Sequence, residues 1–163
     1  MNKNNYTLYI EIIMNEALIG AGCFWGIEEY FRKVNGIITT KVGYSGGTKE
    51  FPTYEEVCTG TTGHAEVVKI SYDENLINYS EILQHFWLCH DSTQLNRQGL
   101  DIGSQYRSVI YYYTENQKEF ALKSKKLQQN KIVAEIVTEI VRVKKFYIAE
   151  DYHQLFIYNK SLI

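Results

Sequence analysis

The sequence predicts an α+β two-layer sandwich, a mixed sheet with helices packed on it. Short β-branched or apolar runs recur through the 163 residues, and two segments show the three-and-four spacing of a helix face. Strands alternate with helices in places and follow one another directly in others, which a strictly parallel sheet does not allow. Residues 17–19 form a short apolar run ending in Gly20-Ala21-Gly22, a buried strand entering a tight turn. A helix follows, because Ile27, Tyr30, Phe31 and Val34 share one helical face and Asn35-Gly36 stops it. Residues 37–44 are strand-like, and Ser45-Gly46-Gly47 opens a loop towards Pro52, expected in the first turn of a short helix through Cys58. Residues 65–72 form a strand with Glu66, Val68, Ile70 and Tyr72 on one face, so a carboxylate points the same way as valine and isoleucine.

Residues 78–90 read as a helix with Ile82, Leu83, Phe86 and Trp87 inward and Asn78 or Ser80 as its cap. The polar stretch 91–105 is long for a compact domain, which points to a working loop. Residues 106–113 resume a strand, Phe120 and Leu127 mark another helix, residues 132–143 are β-rich, and residues 149–158 close the chain as a helical turn or loop. A ferredoxin-like arrangement of the mixed sheet is expected. Nine of the 11 glycines lie between Gly20 and Gly63, which assigns the backbone work to that half.

Composition narrows the function. At 45% hydrophobic and 22% charged residues, the chain is globular, and no repeat or linker divides it. The balance of 17 basic and 19 acidic residues supplies no positive field for nucleic acid or an anionic membrane, so neither partner is expected. Cys23, Cys58 and Cys89 are too few and too spread for a disulfide scaffold and suit a reducing compartment. No apolar run reaches a membrane span and the start lacks a secretory pattern, so a cytoplasmic monomer is expected, with residues 1–13 an N-terminal extension.

Gly22-Cys23-Phe24-Trp25-Gly26 sets a cysteine at a strand-to-helix junction between two glycines, which lets the backbone turn sharply and leaves the thiol open. Helix amides facing the sulfur favour thiolate, typically by ~0.3 to 1 kcal/mol. A Cys-His pair for acyl transfer has candidates in His64, His85, His90 and His153, but no spacing singles one out. The cysteines and histidines lack the paired spacing of zinc sites, so no metal is expected. A peptide-binding module that leaves Cys23 idle is the non-enzymatic alternative.

The Gly22–Gly26 run resembles the active-site signature of the peptide methionine sulfoxide reductase A family. The likeness continues through Val42-Gly43-Tyr44-Ser45-Gly46-Gly47, Pro52-Thr53-Tyr54-Glu55-Glu56-Val57-Cys58, Gly63-His64-Ala65-Glu66-Val67, Asn96-Arg97-Gln98-Gly99, Gly103-Ser104-Gln105-Tyr106-Arg107-Ser108 and Ala149-Glu150-Asp151-Tyr152-His153-Gln154. Seven matches in family order set the resemblance beyond coincidence, and it implies a single catalytic domain over residues 14–163. The resemblance implies that Cys23 attacks the sulfur of methionine sulfoxide, the S epimer, free or in proteins, and is left as sulfenic acid. It further implies that Glu66 donates a proton, that Tyr54 and Tyr106 bind the sulfoxide oxygen, and that Phe24 and Trp25 wall the methyl slot. Asp101 is implied to contact the substrate backbone, and His153 to support the site. Burial beside Val68 and Ile70 is an independent reason for a raised Glu66 pKa. No cofactor is implied.

Many family members return the sulfenic acid to thiol through a cysteine in a C-terminal tail. This sequence closes on Ser161-Leu162-Ile163 without one. Direct reduction by thioredoxin, glutaredoxin or a small thiol is therefore expected, ahead of a disulfide from Cys23 to Cys58 or Cys89, or of poor turnover. Ser92 and Leu100 also depart from the family's usual proline and asparagine, which bears on loop shape.

Overall fold

The computed structural model describes residues 15–163. The extension expected over residues 1–13 lies outside the described residues. Strand β1 (Asn15–Ala21) leads into helix α1 (Phe24–Phe31), and β2 (Ile37–Ser45) is followed by the short α2 (Tyr54–Cys58). Next come β3 (Ala65–Tyr72) and α3 (Tyr79–Leu88), then a small hairpin of β4 (Arg97–Gln98) and β5 (Asp101–Ile102). A 3₁₀ turn at Ser104–Tyr106 precedes β6 (Ser108–Tyr112), α4 (Glu115–Gln129), β7 (Glu139–Arg142) and β8 (Phe146–Ile148). A second 3₁₀ turn, Asp151–His153, leads to α5 (Phe156–Lys160).

Six strands form one sheet in the order β7-β6-β1-β3-β2-β8. Every pairing is antiparallel except β6 with β7, so the sheet is mixed, as expected. β1 is central and buried on both faces, which is why it reads as an unbroken apolar run rather than an alternation. Its Ala17, Ile19 and Ala21 join Val68 and Ile70 of β3 and Phe31, Ile82, Leu83 and Phe86 of α1 and α3 in the main core. Burying each of the large side chains contributes roughly 1.5–3 kcal/mol. Leu18, Ala65, Val67, Val109 and Tyr111 form a smaller cluster on the opposite face.

Asn78 is the cap of α3, closing a capping box with Glu81. Pro52 proves to lie outside its helix: Thr53 is the cap, its side chain accepting from the Glu56 amide while Glu56 accepts from the Thr53 amide. Only Glu139–Arg142 of the β-rich stretch pairs as strand. The backbone just before it is held by the Gln129 side chain, which accepts from Ile136 N–H and donates to Ala134 C=O, while Val137 N–H donates to Ser92 C=O.

Candidate active site

Cys23 is the N-cap of α1, at the bend between the central strand and the helix. Gly22 turns the chain there with φ +103°, and a β-carbon on it would come within 2.9 Å of the Gln98 side chain. Glycine is required on both counts. The same close approach fixes the β4–β5 hairpin, and hence Asp101, beside the thiol.

Glu66 enters from β3 on the face that packs against α1. It is 1% exposed, and its Oε2 accepts the Phe24 backbone N–H at 3.0 Å, which fixes the carboxyl one residue from the sulfur. Burial pushes its pKa from 4.5 up to about 7; the Asp101 charge adds to the rise and the Phe24 N–H opposes it. The expected desolvated carboxyl is present, poised to be neutral near neutral pH.

The thiol itself departs from expectation. The amides of Trp25 and Gly26 do face the sulfur and favour thiolate, although no capping hydrogen bond closes on it. Burial first, then the charges of Glu66 and Asp101, outweigh them and push Cys23 up to about 11. One helix terminus is too weak to offset a desolvated sulfur beside a carboxylate.

Tyr54 opens α2 and Tyr106 closes the 3₁₀ turn before β6. Both hydroxyls lie within electrostatic reach of Glu66, and that of Tyr106 also of Cys23 and Asp101. Burial, followed by Glu66 and the other charges around it, pushes Tyr106 up to about 12; burial, followed by the Cys58 thiol beside its hydroxyl, raises Tyr54, so both keep their phenolic protons at neutral pH. Thus residues from β3, α2, the α1 junction and the loop before β6 converge on one place.

The aromatic side is built around His153, which has no exposed surface. Trp25 Nε1–H donates to His153 Nδ1 at 2.9 Å, and the His153 ring lies 5.2 Å from Phe24 and 4.5 Å from Tyr54, centroid to centroid. Phe156 stacks on Trp25 at 3.8 Å and 11°. Burial lowers the His153 pKa, which keeps Nδ1 free to accept. Sequence reasoning singled out Phe24 and Trp25 but missed Phe156, Tyr44 and Glu150, which hold them and Tyr54 from behind. The last two lie within quoted motifs, so the signal was available.

Cys58 is exposed at the end of α2 with the Tyr54 hydroxyl beside it, whereas Cys89 is half-buried at the end of α3, donates to Phe86 C=O at 3.3 Å and is pushed up to about 12 by desolvation. Among the described residues no three His, Cys, Asp or Glu side chains gather as a metal site, and no helix is long and apolar enough to cross a membrane.

This geometry gathers a thiol, a buried carboxyl and two phenols at one place. The sequence profile described as peptide methionine sulfoxide reductase matches residues 15–162. The peptide methionine sulfoxide reductase MsrA of Methanosarcina acetivorans is 53% identical over 152 residues, covering 92% of this chain and 81% of that protein. The reduced form of Mxr1 from Saccharomyces cerevisiae superposes with a TM-score of 0.85 at 35% identity, covering 91% of this chain and 86% of that one. Mxr1 in complex with Trx2 gives a TM-score of 0.62 at 25% identity, covering 88% and 84%. The chain belongs to the peptide methionine sulfoxide reductase family, and is an oxidoreductase that uses a thiol to take oxygen from a sulfoxide.

Proposed function

We propose that residues 14–163 form a single catalytic domain that reduces the S epimer of methionine sulfoxide, free or in proteins, at Cys23. The observation that carries the reading is the Glu66 carboxyl, buried and tied to the Phe24 amide at 3.0 Å, one residue from the thiol. Cys23 sulfur attacks the sulfoxide sulfur while Glu66 protonates its oxygen and the Tyr54 and Tyr106 hydroxyls donate to it. Methionine leaves, the oxygen stays on Cys23 as sulfenic acid, and the thiol's proton replaces the one Glu66 gave. Atoms balance: thiol plus sulfoxide gives sulfenic acid plus thioether.

Phe24 and Trp25 wall the methyl of the substrate, and Asp101, on the exposed hairpin, receives its backbone. A thioredoxin dithiol, in the manner of Mxr1 with Trx2, or a glutaredoxin or small thiol, then returns Cys23 to thiol with release of water. The enzyme acts as a cytoplasmic monomer in repair of oxidised proteins. The order β6-β1-β3-β2 within the sheet supports a ferredoxin-like core carrying β7 and β8 at its edges.

Mass spectrometry after one equivalent of sulfoxide, without reductant, tests the chemistry. A gain of one oxygen on Cys23 is expected. Loss of two hydrogens spread over Cys23 and Cys58 or Cys89 would instead establish an internal disulfide, and an unmodified Cys23 with methionine formed would end the reading. Cys23→Ser is expected to abolish methionine formation.

A further inference from the structure

Among the groups that converge on the thiol, Tyr54 has the weakest local support. It is the first residue of α2, a helix of only five residues, far below the length that is stable alone. The capping box of Thr53 and Glu56 satisfies the amides of those two residues. The amide of Tyr54 itself is satisfied from the other end of the chain, donating to Glu150 Oε2 at 3.0 Å.

The second Glu150 oxygen, Oε1, accepts the Tyr44 hydroxyl at 3.0 Å. Tyr44 is completely buried, stands directly opposite Glu66 in the pairing of β2 with β3, and places its ring 5.8 Å from Phe24. One carboxylate therefore ties the first residue of α2 to the strand neighbour of Glu66. The Tyr152 hydroxyl approaches the same carboxylate at 3.5 Å. Burial acts to raise the Glu150 pKa, but its own amide, the Tyr54 amide and the Tyr44 hydroxyl outweigh this and hold it below the usual carboxylate range. Bonds to such an ionised acceptor are roughly twice as strong as neutral ones.

We propose that Glu150 is a positioning residue for sulfoxide reduction: by gripping the Tyr54 amide and the Tyr44 hydroxyl, it sets where the Tyr54 hydroxyl stands relative to Glu66 and Tyr106. It touches no reacting atom. The proposal rests on the reading of Tyr54 as an oxygen-binding group. His153 packs tilted against the Tyr54 ring, 4.5 Å between centroids, while Glu150 holds the amide of the residue from which that ring projects.

The test is a double-mutant cycle on kcat and KM for a peptidyl methionine sulfoxide with dithiothreitol, using Tyr54→Phe, Glu150→Ala and the pair, with Glu150→Gln as the conservative variant. Glu150→Ala is expected to lower kcat by roughly 10- to 100-fold, the scale of a small misplacement of a catalytic group, with KM changed less than about threefold. The pair should be no slower than Tyr54→Phe alone within about twofold. Glu150→Gln should keep most of the activity, its oxygen accepting from the Tyr54 amide and its NH₂ donating to the Tyr44 hydroxyl. Additive losses in the pair, or equal damage from Gln and Ala, would overturn the role of Glu150. An unchanged rate in Tyr54→Phe would instead remove the reading beneath it. If Glu150→Ala does not fold, Glu150→Leu takes its place, and loss of the fold in both makes the residue a structural one and refutes the proposal.

Discussion

Removing the carboxyl of Glu66 should change the shape of the pH–rate profile as well as its height. The proposed reaction uses neutral Glu66 and anionic Cys23, yet burial pushes Glu66 up to about 7 and Cys23 up to about 11, so the reactive pair is the reverse of the abundant one. Below pH 7 Glu66 is already neutral and the thiolate fraction grows tenfold per unit. Between about 7 and 11 the gain in thiolate is cancelled by loss of neutral Glu66. The rate of a single turnover should thus rise to about pH 7 and then run flat. On that plateau the reactive pair is a small minority of the enzyme, though a larger one than the separation of the two groups alone implies, because Glu66 no longer raises Cys23 once it is neutral. Glu66→Gln keeps the volume and an acceptor for the Phe24 amide but titrates no longer. Its rate should be at least ~10²-fold lower at neutral pH, the usual worth of a positioned acid. It should also keep climbing through pH 7 with unit slope. Quenched-flow measurement of methionine formed by excess enzyme, without reductant, gives both profiles. A break near pH 7 that survives in Glu66→Gln, or is absent from the parent, would refute the assignment of the proton to Glu66.

Other perturbations reach different parts of the site. Asp101→Asn removes a charge that raises both Glu66 and Cys23, so the break should move to lower pH in the same assay, with KM for peptide substrates increased. Phe156→Ala takes away the stacking partner of Trp25, and an aromatic pair worth ~0.5–1.5 kcal/mol predicts KM higher by roughly 2- to 12-fold, with kcat within twofold in steady-state kinetics. His90 donates through Nδ1 to Phe86 C=O and accepts through Nε2 from Ser108, and burial lowers its pKa from 6.5 to about 4. Neutral in the fold and protonated when unfolded, it contributes stability that is complete above pH 6.5 and is lost as pH falls towards 4, about 3 kcal/mol in all. Urea midpoints should show that slope in the parent and lose it in His90→Gln.

Much of this site was legible because its determinants are local. Gly22 and Gly26 around Cys23 mark a turn into a helix, and the two-residue period that sets Glu66 on the face of Val68 and Ile70 foretells its desolvation. The misses are those in which a remote partner decides. The stretch before Glu139–Arg142 is as β-branched as a strand, but its amides and carbonyls find Gln129 and Ser92 instead of a neighbouring strand, and propensity yields to pairing. Phe146–Ile148 becomes an edge strand only because β2 presents a free edge there, which no pattern in three residues can announce. The cap at Thr53 was in plain view as Thr-x-x-Glu, a more specific signal than the proline beside it.

The thiol shows why a local motif can place a residue and still give the wrong sign for its pKa. The helix amides act on Cys23 as the motif implies, but Glu66 needs a dry surrounding to hold its proton, and the sulfur, one residue from the amide that Glu66 accepts, shares that dryness. A site that raises its acid must then raise its nucleophile too, by burial and by the acid's own charge. The resting enzyme accordingly carries a protonated thiol, which is a poor nucleophile towards peroxides or disulfides. Transfer of one proton from Cys23 to Glu66 changes both groups at once, producing the thiolate and the neutral acid together. Reactivity is therefore confined to a substrate that uses both in the same step: a sulfoxide, which accepts sulfur at one atom and a proton at the next.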